Sequence, residues 1–143
     1  MPRASSGRVS GGLAKQPTGG PGGPVEKTIS VTFDGGGIEL STGLKGVGPV
    51  LEDGTLTGWT LFADAVGDMV VDVWVNNLGD DDPTNQDSVT GEAPPLLMME
   101  RQAEDTILNG WNKTLVKGGT IGFHIDSVIG IEKALLVLIY LPD

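Results

Sequence analysis

From Thr28 the chain alternates. In TISVTFD (28–34), Ile29, Val31 and Phe33 fall on one face and Thr28, Ser30, Thr32 and Asp34 on the other, the period of a strand with one buried side. Three glycines (35–37) then break the pattern, as residues suited to a turn with positive φ would. TLTGWTLFAD (55–64) and DMVVDVWV (68–75) read as two further strands, and the short connection Ala65–Gly67 predicts a hairpin between them. TIGFHID (120–126) and KALLVLIYLP (133–142) are strands as well, the last apolar on both faces and so suited to an inner position or to cover by a partner.

Between these lie an evident loop, LGDDDPTNQD (78–87), and PPLLMMERQAEDT (94–106), which reads equally as a short helix or an extended segment after its two prolines. With a short strand near Val47–Leu51 and another entering DTILNGW, the count is seven or eight strands. No long amphipathic helix is visible. The expectation is an all-β chain, a jelly-roll-like β-sandwich with an extended N-terminal arm. An internal echo points the same way: TLTGW (55–59) recurs as TILNGW (106–111), each followed by a segment with an Asp among apolar residues, Asp72 and Asp126, as a doubled Greek key would leave behind.

Composition divides the chain in two. Residues 1–25 hold seven Gly and four Pro, with Leu13 almost their only large apolar side chain, too little to offset the entropy of ordering. They carry Arg3, Arg8 and Lys15 and no acid, whereas 26–143 hold six basic and nineteen acidic residues. A basic arm thus precedes an acidic body, 26–143, of one-domain size. Formal net charge is -10 and the pI about 4.3, which argues against a nucleic-acid-binding face. With no cysteine, disulfides, thiolate metal sites and cysteine nucleophiles are excluded. No apolar run approaches a membrane span, and MPRASSGRVSGG has no apolar signal core. The arm is expected to fold on another acidic surface, through Arg3, Arg8, Leu13, Lys15, Pro17 and Pro21.

Candidate chemistry is sparse. Asp80, Asp82 and Asp87, with Asp81 and Asn85, offer oxygens to a calcium ion, but without the glycine and closing glutamate of an EF-hand. His124 is the only histidine and alternates outward from Phe123 and Ile125; alone it makes neither a zinc site nor a triad. GGPGGPVEKT lacks the spacing and donors of a phosphate loop. Trp59 and Trp74 are candidates for stacking on a sugar ring, set against a core role for Trp59 and Trp111, which occupy matching places in the echo. No catalytic residue and no cofactor are predicted.

ISVTFDGGGIELSTGLKGVG, then GWTLFADAVGDMVVDVW, EDTILNGW and GGTIGFHIDSV, resemble a β-domain of tailed-phage virion proteins, found at fibre tips and in capsid decoration proteins. The resemblance covers 28 to about 139. It implies a virion structural protein, trimeric and without enzymatic activity, made in the bacterial cytoplasm and placed on the particle. One short arm before one body, with no long shaft, suits a capsid decoration (cement) protein whose partners are its own copies and the major capsid protein, with no nucleic acid and no membrane. The alternative is a fibre or head-fibre tip that binds host-surface glycan.

Overall fold

In the computed structural model, which describes residues 25–143, the alternating segments pair into one antiparallel sheet. Its strands are β1 (Lys27–Asp34), β2 (Gly43–Pro49), β3 (Gly54–Val75), β4 (Leu96–Asp105), β5 (Thr114–Leu115), β6 (Thr120–Ile129) and β7 (Lys133–Pro142). The order is β1-β7-β3-β6-β2, with β4 and β5 along the other side of β3. The all-β expectation therefore holds for the described residues. No helix among them is long and apolar enough to cross a membrane.

The central strand corrects the hairpin. β3 runs unbroken for 22 residues, pairing with β7 through Ala63 and with β6 from Asp68 onward. Ala65–Gly67 bend the strand without reversing it. The reason is parity: Leu61 and Ala63 before the bend and Met69, Val71 and Val73 after it are all buried and all odd-numbered, so one face stays inward throughout. Earlier in β3 a bulge at Thr57 shifts the phase, which is why Leu56 and Trp59 both point inward although three positions apart.

β6 and β7 follow one another along β3, and β1 and β2 follow one another along β7 and β6. The interruptions share one level: β1 ends at Gly35–Gly37, β3 bends at Gly67, β4 bends at Met99 (φ 54°), and Gly130 (φ 79°) separates β6 from β7. There the sheet folds over. Straight, the stretch from Lys117 to Asp143 would span roughly 85 Å. Yet Asp53 joins its two ends, Oδ1 accepting from Lys117 N at 2.8 Å and the carbonyl from Asp143 N at 3.1 Å. The two leaves share one apolar core, with Phe33 from β1, Leu97 from β4, Ile121, Phe123 and Ile125 from β6, and Leu136 and Leu138 from β7.

Strands that bend lose ladder partners, and carboxylates replace them. Asp34 accepts from Gly36 N, Asp68 from Met99 N at 2.7 Å, Glu39 from Gly130 N, and Asp64 from the N–H groups of Glu132 and Lys133 at 3.2 Å each. These bonds, first that from Lys133, hold the Asp64 carboxyl below its ordinary pKa. Part of the acidity read from composition is thus spent on backbone donors along the fold line.

Three further expectations change. The ambiguous 94–106 segment is strand β4. The strand expected in DTILNGW is a turn, in which Asp105 Oδ1 accepts from Ile107 N and Leu108 N. The echo is not a structural repeat: TLTGW lies inside β3, whereas TILNGW forms that turn.

Candidate functional site

On the outer face of β3 and β6, opposite the core, Asp72 and Trp74 stand beside Gly122 and His124. Such a face would ordinarily be wet, but Trp74 is 8% exposed. The 76–90 connection covers it, for reasons that begin with Asp72. Its carboxylate accepts from Val73 N at 2.9 Å, Trp74 Nε1 at 2.9 Å, Ser88 Oγ at 2.7 Å and Thr90 Oγ1 at 2.8 Å, so one side chain ties the strand, the indole and the far end of the loop together. Buried Asn76 holds the near end, donating to Asp81 O and accepting from Thr120 N at 3.0 Å. The missing side chain of Gly122 makes room for Pro83 and Leu44, which a Cβ there would crowd at 3.1 and 3.2 Å.

The result is an open groove of about 580 Å³ lined by Asp72, Trp74, Pro83, Thr84, Asn85, His124 and Asp126. The His124 ring stacks on Trp74 with centroids 4.7 Å apart and planes at 20°. Its Nδ1 lies 2.7 Å from Asp126 Oδ1; an ionised carboxylate only accepts, so Nδ1 is the donor of this bond, and Nε2 makes no hydrogen bond among the described residues. Asp126 stands where the β3–β6 register slips by one residue, Val70 pairing with Ser127 and Val71 with Ile125. It is therefore a bulge residue with no partner on β3.

A second feature lies on the fold line. Val66, Met98, Met99 and Ile129 are 61%, 71%, 79% and 66% exposed. They adjoin one another: Met99 N binds Asp68, which pairs with Ile129, and Gly67 beside Val66 pairs with Glu100. Other apolar side chains, such as Ile38, Leu51, Leu78 and Ile107, are exposed elsewhere; Val66, Met98, Met99 and Ile129 form an apolar ridge along the fold line.

The predicted residues are scattered among these features. Trp59 is buried in the core at 5% exposure and Trp111 at 7%, its Nε1 donating to Ala93 O at 2.8 Å. The proposed Trp59–Trp74 platform therefore does not exist: one indole is interior and the other lies under a histidine. Asp80 accepts from Asn77 N, Asp87 closes a capping box with Thr84 in the short 3₁₀ turn Asn85–Asp87, and Asp82 is exposed. Among the described residues no three acidic or histidine side chains converge on an ion position, so Asp80, Asp82 and Asp87 do not form the proposed cluster. Arg3, Arg8, Leu13, Lys15, Pro17 and Pro21 lie outside the described residues. Sequence reading missed Asp72, Thr84, Asn85 and Asp126 as groove residues. The local signal was available for one pair, since His124 and Asp126 are two apart on a strand and share a face.

Compared with models of protein families, with curated proteins and with solved structures, the chain matches none.

Proposed function

We propose that this chain is a bacteriophage virion structural protein: a capsid decoration protein that binds and reinforces the head shell as a homotrimer, without enzymatic activity. The observation that carries the reading is the apolar ridge, and within it Met99. A side chain at φ 54° costs about 1–2 kcal/mol that glycine would avoid. Two non-glycine residues bear it among the described ones, Leu108 and Met99. Leu108 offsets the strain by burying its side chain to 1% exposure; Met99 is held through its N–H bond to Asp68 at 2.7 Å, but its side chain, 79% exposed, buries little against its own chain. A strained, exposed methionine beside another methionine, a valine and an isoleucine fits a surface that is completed by a partner.

In this reading the leaves form a jelly-roll-like sandwich, a fold suited to a small body on a shell, and the basic arm 1–25 lies across acidic neighbouring surfaces through Arg3, Arg8 and Lys15. Each arm contact gains from the body's being held nearby. The major capsid protein is the shell partner, and the protein, made in the host cytoplasm, ends on the capsid surface. Quantitative mass spectrometry of purified particles tests this: a cement protein is present in many copies at a fixed ratio to the shell subunit, whereas a handful per particle, or none, overturns the reading.

A further inference from the structure

We propose that the groove over Trp74 and His124 is a binding site for a neutral saccharide. The inference is independent of the capsid reading, since none of the ridge residues lines the groove.

The chemistry of the lining selects the ligand class. No Lys or Arg lines the groove, so nothing there neutralises a phosphate or a carboxylate. Asp72 is spent on four donors, and Asp126 has one oxygen on His124. One free carboxylate edge is too few for a divalent cation. The groove is open to solvent, with polar side chains from Thr84, Asn85, His124 and Asp126 around it, so it does not enclose an apolar ligand. What remains unspent among the described residues is a mixed set: the Asn85 amide and the Nε2 of His124, which make no hydrogen bond there, the second oxygen of Asp126 and the hydroxyl proton of Thr84. Donors and acceptors on neighbouring groups around one apolar floor residue, Pro83, match the alternating hydroxyls and C–H patches of a sugar ring. The volume suits one or two rings.

Two constructional details make this a built site. The bulge at Asp126 releases that residue from the β3 ladder and leaves its carboxylate beside His124. The Trp74 ring then fixes the plane of the imidazole from below. His124 and Asp126 lie on strand β6, so these two polar groups are held before a ligand arrives, which lowers the cost of binding.

The test is titration of the full chain, followed by NMR, with glucose, galactose, mannose and N-acetylglucosamine, and with inorganic phosphate and calcium as separate arms. The three tryptophans give three indole N–H signals. The Trp59 and Trp111 signals serve as internal references because neither residue lines the groove. The expected result is a saturable shift of the Trp74 indole and His124 ring signals with at least one sugar, at a Kd on the order of millimolar. Asn85→Ala and Asp126→Asn should each weaken it about tenfold while leaving the reference signals in place. Asn85 is exposed and makes no bond among the described residues, so its variant keeps the test valid should Asp126→Asn disturb the bulge. No saturable shift with any of the four sugars, shifts indifferent to both substitutions, or a preference for phosphate or calcium would each overturn the proposal.

Discussion

Replacing Met99 by glycine separates what a residue does for its own fold from what it does for a partner. In the free protein the substitution removes a side chain that is 79% exposed, so little burial is lost. It relieves a left-handed backbone worth about 1–2 kcal/mol and adds roughly 0.5–1 kcal/mol of unfolded-state entropy. The net expectation for Met99→Gly is a change between zero and about 1 kcal/mol in the stabilising direction. Leu108→Gly is the matched control, because Leu108 has φ 53° but is 1% exposed. It gains the same relief and loses a core side chain worth about 2–5 kcal/mol, for a net destabilisation of about 2–4 kcal/mol. Urea unfolding followed by tryptophan fluorescence measures both, and with a slope of about 1–3 kcal/mol per molar the two midpoints should differ by about a molar or more. A Met99→Gly loss above about 1 kcal/mol would mean that the methionine packs within its own chain. The strain argument behind the interface would then fail.

Asp72→Ala should cost about 3 kcal/mol, because it strands the buried Thr90 hydroxyl and the Trp74 indole N–H together; a loss under about 1 kcal/mol in the same urea assay would deny Asp72 its role as the loop anchor. Gly35→Ala places a Cβ against the Ile38 carbonyl, so its melting temperature should fall by about 10 °C, and an unchanged melt would show that the turn can open. Lys27 Nζ and Tyr140 Oη both donate to Glu52, at 2.8 and 2.7 Å. Chiefly through the Lys27 bond, Glu52 is held below its ordinary 4.5, while the Glu52 bond raises Lys27 above 10.5 and Tyr140 above 10.0. The Glu52 contribution is therefore present above about pH 4.5 and lost as pH falls through its lowered value, whereas those of Lys27 and Tyr140 are present below about pH 10 and lost as pH rises through their raised values. Glu52→Gln should flatten both limbs of a stability–pH curve, and unchanged limbs would contradict the assignment.

How far the fold is legible in the sequence depends on the range of the signal. Local pattern was enough for β1, β6 and β7: the first two alternate within ten residues, and β7 is a short run apolar on both faces. β3 was misread because Ala65–Gly67 resembles a turn, although the odd-numbered apolar positions on both sides already argued for one continuous strand. Nothing local indicates that Gly35, Gly67, Met99 and Gly130 meet at one level; that follows from register between strands as far apart as 34 and 133. The groove was invisible for the same reason, since Asp72, Asn85 and Asp126 meet only after the loop folds back. Residue type also could not separate Trp59 from Trp74. The Thr57 bulge and the bent sheet decide which indole faces the core.

The central claim is that the fold-line ridge is an assembly surface. The most direct measurement is occupancy of the protein on phage heads that lack it, comparing the wild type with Met98→Asp/Met99→Asp by co-sedimentation. The account predicts saturating occupancy for the wild type and near-complete loss for the double variant, with an unchanged urea midpoint. Equal occupancy of the two proteins would contradict it.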